Sequence, residues 1–213
     1  MAIREILDIA KEGIGNRIPY CRKIVNFVND CLNNIDYELI HEGPVNLESI
    51  CTSYGINIEY LEFDDDNSNQ SRILGRLVLI NYENKGKQEE SSRQTTIYIE
   101  KNSSYNVKRY TLAHELAHFL LHNRDSDLVY TDAQLSFPEI VNVEDEEIIA
   151  DDIATVLLVP YDIFSEQIKD FKTKYESEND FDIDSFLMEL SRKMQVPFYI
   201  VAYAYQFYRN YKQ

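Results

Sequence analysis

Two histidines four residues apart with a glutamate beside the first, His114-Glu115-Leu116-Ala117-His118, are the grouping in this chain that most directly spells out a reaction. On an α-helix, residues four apart leave the same face with origins about 6 Å apart, so both imidazoles can place a nitrogen on one ion. Glu115 is turned about 100° from His114 and reaches a water beside the ion rather than the ion itself. This is the layout of a hydrolytic zinc site. The cation polarises a carbonyl and lowers the pKa of its water towards about 7, while the glutamate takes the water's proton and passes it to the leaving amine. His114 and His118 are therefore candidate metal ligands, Glu115 the candidate catalytic base and Zn²⁺ the expected cofactor.

A catalytic zinc takes three protein ligands and leaves a fourth position to water. His122 lies one further turn along, but eight helical residues separate it from His114 by about 12 Å, too far for both to meet one ion through bonds of about 2 Å. It reads as structural, or as a partner to a ligand. Only His41 remains unassigned, so a carboxylate from EDEEIIADDIATVLLVP (144–160) is the natural third donor. Ala150, Ile153, Ala154, Leu157 and Leu158 mark the apolar face of a helix there. Glu147, three residues before Ala150 and seven before Ala154, points to that face; Glu146 sits near it too and is the competing ligand. Asp151 follows Glu147 by one turn and is placed to accept the free ring N–H of a ligand histidine, the contact that fixes its tautomer and orientation. Asp145 and Asp152 look solvent-directed. Glu144 and Asp145 also suit an acidic helix start favoured by the macrodipole.

The elements that must carry these residues can be read from periodicity. The stretch from Arg109 to His122 is apolar nearly all round, the mark of a buried helix. Two imidazoles among Leu112, Ala113, Leu116, Ala117, Phe119, Leu120 and Leu121 need a partner, and a metal is an economical one; the plain alternative is two satisfied core histidines beside a salt-bridged glutamate. A second helix runs from about Glu144 to Leu158 and stops near Pro160. Upstream, Pro44 opens a short helix, VNLESICTSY, that stops at Gly55. The alternation Ile56, Ile58, Tyr60 predicts a strand, ILGRLVLIN from Ile73 a second and TTIYIE (95–100) a third, close enough together to imply an antiparallel sheet. The charged, aperiodic NYENKGKQEESSRQ between the last two reads as a hairpin extension. TTIYIE, just before the active helix, is the candidate strand for holding a substrate backbone.

At the N-terminus, Ile3, Ile6, Leu7 and Ile9 space one apolar helical stripe, and Ile24, Val25, Phe27 and Val28 another after a break from Gly15 to Pro19. SFLMELSRKM and the aromatic segment after Pro197 continue the helical sequence to the C-terminus. The expected organisation is a helical segment over residues 1–40 and a catalytic domain with C-terminal helices over 41–213.

Composition narrows the setting. The 213 residues suffice for one substantial core, and no apolar run reaches the length of about 18 residues that a membrane span needs. The start, MAIREILDIAKEG, lacks the pattern of a signal peptide. Cys21, Cys31 and Cys51 are odd in number and widely spaced, which suits a reducing compartment and small buried packing residues. A soluble, cytoplasmic protein is expected. The formal charge of −16 with scattered lysines and arginines argues against direct nucleic-acid binding, although it suits attraction of a basic protein partner.

PVNLESICTSYGINIEY, TTIYIEKN, VKRYTLAHELAHFLLH and the pattern ExxADxIATVLLVP, from Glu147 to Pro160, follow one another over residues 44–160 in an order and spacing that resemble the ImmA/IrrE metallopeptidases. LSRKMQVPFYIVAYAYQF resembles the family's helical tail more loosely. Two small departures leave the ligands intact: Ala117 stands where glycine is common and Tyr110 where phenylalanine is common. No recognisable DNA-binding domain precedes the peptidase segment. The resemblance implies Glu147 as third ligand, as in gluzincins, and an α+β fold: a minimal zincin-like domain with a small antiparallel sheet packed on the active-site helix, plus N- and C-terminal helices. It further implies a regulatory zinc endopeptidase that cuts a helix-turn-helix repressor of a prophage, mobile element or stress response. The alternative is a non-proteolytic protein-binding regulator that keeps a zincin fold with a structural or vestigial metal.

Overall fold

A computed structural model describes residues 17–36, 40, 43–63, 74–82, 92–122, 143–174 and 182–211. Helix α1, Arg17–Leu32, buries one stripe formed by Cys21, Ile24, Val28 and Cys31, with Val25, Phe27 and Leu32 alongside. It begins inside the expected break. Pro19 falls in its first turn, where a missing N–H leaves no intrahelical bond unmade. The stripe expected from Ile3 to Ile9 lies outside the described residues.

A short helix α2, Leu47–Ser53, starts at Asn46, whose side-chain oxygen accepts a hydrogen bond from the Ser49 N–H at 3.0 Å. Asparagine capping fixes this start, so Pro44 stands outside the helix rather than in its first turn. The stop is Gly55, at φ +70°, a left-handed conformation that glycine adopts without strain.

Three strands follow: β1 Ile56–Leu61, β2 Gly75–Tyr82 and β3 Ser92–Glu100. The sheet is mixed, which corrects the antiparallel expectation. Its order is β1-β3-β2, with β3 parallel to β1 and antiparallel to β2. Successive strands do reverse direction, as short connections require. The third, however, inserts between the first two, so it meets its hairpin partner β2 antiparallel and β1 parallel. β2 and β3 pair out to Tyr82 and Ser92, so β3 begins three residues before the expected Thr95. One face of the sheet carries Ile56, Ile58, Leu77, Leu79, Thr95, Ile97 and Ile99 in register, and the part of that face on β2 and β3 forms the bed for the next helix. Glu100, buried at the strand end, accepts hydrogen bonds from the backbone N–H groups of Phe63 and Asn102 at 2.9 and 2.8 Å.

Helix α3, Tyr105–His122, lies on that bed and is buried nearly all round, as its composition requires. Helix α4, Val143–Leu158, packs across it and buries Ile149, Ala150, Ile153, Ala154, Leu157 and Leu158. Pro160 ends α4. Helices α5 Tyr161–Lys174, α6 Ile183–Met194 and α7 Phe198–Tyr211 follow among the described residues. α7 and α1 pack on each other and both touch α4 on the side away from α3's histidines. The fold is α+β, consistent with a minimal zincin-like domain with added helices. Among the described residues no helix is long and apolar enough to cross a membrane.

Candidate metal centre

His114 and His118 leave α3 on the face turned to α4, and their Nε2 atoms lie 3.1 Å apart. Glu147, in the second turn of α4, sets one carboxylate oxygen 3.2 Å from His114 Nε2 and the other 3.5 Å from His118 Nε2. Two bonds of about 2.05 Å meeting at a tetrahedral angle hold their donor atoms about 3.4 Å apart. The three observed separations bracket that value, and the two-nitrogen, one-oxygen donor set is one that zinc accepts. The residues fit a metal ion.

Asp151 reaches the other side of His114: the Nδ1–H donates to Oδ1 at 2.8 Å. The same oxygen accepts the Tyr110 hydroxyl at 2.5 Å. With its proton on Nδ1, the His114 ring turns a lone pair on Nε2 toward the converging donors. Glu146, the competitor for the third ligand position, does not join them. Its carboxylate faces His118 Nδ1 at 3.8 Å, behind the ring rather than before it.

Charge in the cluster points the same way. Burial opposes protonation of His114, but hydrogen bonds to Asp151 and Glu147 outweigh it and push its pKa up to about 10. Burial likewise opposes His118, and Glu146 and Glu147 push it up to about 9. Hydrogen bonding to the two histidines holds Glu147 well below the usual carboxylate range. For Asp151, burial works upward, but the bonds from His114 and Tyr110 prevail and lower it. The surrounding carboxylates thus make positive charge favourable at these rings, a demand that a divalent cation satisfies.

Glu115 leaves α3 toward the sheet. Its carboxylate accepts a backbone hydrogen bond from Leu77 of β2, and burial, the largest influence, raises its pKa although both histidines oppose the rise. Gly75 makes this approach feasible. A Cβ there would lie 2.4 Å from Thr111 Cγ2 and 2.8 Å from Glu115 Oε1, distances no real side chain tolerates. Sequence reading passed over Gly75, although an isolated glycine inside a strand pattern is a signal of close backbone approach.

Two expectations need correction. TTIYIE lies in β3, the centre of the sheet, with both edges already paired, so it cannot take on a further strand. Asp152 is not solvent-directed but 1% exposed, because α1 and α7 cover the side of α4 that a spacing argument limited to α3 leaves open. His41 and the side chains of His122, Glu144 and Asp145 lie outside the described residues.

With this geometry in place, comparison with known families decides the broader assignment: a peptidase family profile described as the IrrE N-terminal-like domain matches residues 51–205. The chain belongs to the IrrE N-terminal-like peptidase family. The matched span contains the sheet, both metal-site helices and most of α7, so the converging His114, His118 and Glu147 lie within the family's own region. α1 lies before it. No curated protein matches the chain significantly. As a member of this family the chain is a metallopeptidase by descent, with a His-His-Glu group close enough to hold a metal ion.

Proposed function

We propose that the chain is a cytoplasmic zinc endopeptidase that cuts one peptide bond in a helix-turn-helix repressor. The observation that carries the reading is the convergence of His114 Nε2, His118 Nε2 and the Glu147 carboxylate within 3.5 Å of one another, with Glu115 beside the edge of the sheet. Zn²⁺ bound there would polarise the scissile carbonyl and lower the pKa of a water towards about 7. Asp151 holds His114 in the tautomer that leaves Nε2 available. Glu115 accepts the proton of the attacking water and delivers it to the leaving nitrogen. Burial favours its protonated form and so equips it to carry that proton.

Among the described residues, β2 has no strand on its outer edge. Because Leu77 meets Glu115 there, an extended substrate paired along this edge would bring its backbone next to the proton carrier. The net charge of −16 favours a basic partner such as a DNA-binding protein and disfavours direct contact with DNA. Cys21, Cys31 and Cys51 are buried as thiols, which fits a reducing compartment.

The test is co-incubation with candidate helix-turn-helix repressors, sought first among the genes neighbouring this one, followed by mass measurement. Two fragments are expected from the wild type. Glu115→Gln should retain metal while cleavage falls by about 10²–10⁴-fold; full cleavage by that variant would rule out this proton path. Recovery of the repressor whole, in a stable complex, would instead favour a binding protein with a vestigial site.

A further inference from the structure

Asp151 and Asp152 leave α4 about 100° apart. Asp151 serves His114, whereas Asp152 is buried against two tyrosines: the Tyr20 hydroxyl of α1 donates to Oδ2, and the Tyr203 hydroxyl of α7 donates to Oδ1 at 2.5 Å. A buried carboxylate is costly unless donors surround it, so both hydroxyls are required partners rather than incidental neighbours. Burial first and the Asp152 charge second hold both phenols well above their ordinary range, which keeps them protonated as donors.

The rings are fixed as well. Tyr20 and Tyr203 both pack on Phe207, with centroids 6.5 and 6.3 Å away. One turn before Tyr203, Tyr199 meets Tyr110 edge-to-face at 6.0 Å, and the Tyr110 hydroxyl shares Asp151 Oδ1 with His114. Helix α7 thus holds α4 directly at Asp152 and reaches Asp151 only through Tyr110 of α3, and α1 adds a further hold on Asp152 from outside the span matched to the family.

Resting on the metal-centre reading above, we propose that Asp152 is a positioning residue: Tyr20 and Tyr203 clamp it between α1 and α7 and so set the rotation of α4 that presents Glu147 and Asp151 to the histidines. A carboxylate about 5–6 Å from a helix axis swings about 1 Å for every 10° of axial rotation. Metal bonds tolerate only about 0.2 Å. A small loosening of the clamp therefore reaches the ligand set, and this gives the N-terminal helix a part in the site.

The test uses the full chain carrying Tyr20→Phe, Tyr203→Phe or both, which remove the donors and keep the rings. Tyr54→Phe is the control, because its hydroxyl donates to Cys31 O at the far end of α1 rather than to Asp152. Zn²⁺ affinity is measured by competition with a chromophoric chelator, Co²⁺ coordination by its visible spectrum, and thermal stability in parallel. The double variant should bind Zn²⁺ about 10-fold more weakly, within the range seen for outer partners of a metal site, with a displaced Co²⁺ spectrum. Tyr54→Phe should alter stability alone. Should the double variant not fold, the single variants decide by the same readouts. Wild-type affinity and an unchanged Co²⁺ spectrum in the tyrosine variants would overturn the clamp, whatever their melting points. Failure of the wild-type chain to bind either metal would overturn the metal-centre reading instead.

Discussion

Asp151 and Asp152 are neighbours in sequence with the same side chain, yet they face different halves of the molecule. Asp151 is half-exposed and accepts from a histidine and a tyrosine of α3; Asp152 is buried and accepts from tyrosines 132 and 51 residues away. One helix therefore has a front that meets the chemistry and a back that meets the scaffold. The difference shows that the identity of an acidic residue says little about its duty. The elements packed against it decide.

The comparison can be broken at the front first. Glu147→Ala removes a donor outright and should weaken Zn²⁺ binding by more than about 100-fold, beyond the range for an outer partner; metal content after dialysis would show it, and full occupancy would return Glu146 to candidacy. Asp151→Asn keeps the shape but can turn an amide toward His114 Nδ1, so affinity should drop by about 10–100-fold. A calorimetric titration matching wild type would remove Asp151 from the site.

Gly75→Ala probes the opposite flank of α3. Overpacking against Thr111 and Glu115 should lower stability by about 1–3 kcal/mol and slow cleavage, with metal content kept. Unchanged turnover would mean that the sheet edge does not position Glu115. The smallest effect is expected from Tyr208→Phe, also on the scaffold side. It removes the hydroxyl bond to the Val159 carbonyl at the end of α4 and should cost about 1 kcal/mol by denaturant titration, leaving metal affinity intact. Loss of metal there would erase the distinction between Asp152 and the rest of the back surface.

Much of the front was legible from sequence because it is local. The four-residue spacing of His114 and His118 and the four-residue step from Glu147 to Asp151 are properties of single helices, and the structure brings these residues together. The same periodicity placed Glu146 near the site as well, and only the direction of its side chain, behind His118, separates the two glutamates. Strand alternation found β1, β2 and β3 but could not order them, since a period of two says which face a residue takes and not which strand lies beside it. The back of α4 was illegible for a related reason. Tyr20 and Tyr203 meet Asp152 only after the chain has closed on itself, and among sixteen tyrosines no spacing marks these two as partners.

The sheet order also bears on how the molecule comes into being. β1 and β2 stand two strand spacings apart, about 9.6 Å, with β3 between them. Neither earlier strand gains its native partner during synthesis until residues 92–100 emerge, and the helix bearing His114 comes next. Sheet and catalytic helix thus follow one another near the middle of the chain and Glu147 comes later, so a chain cut short before α4 lacks the third member of the metal group. In hydrogen exchange, the amides of β1 and β2 should gain protection together during refolding, with β3 as the strand that admits them both.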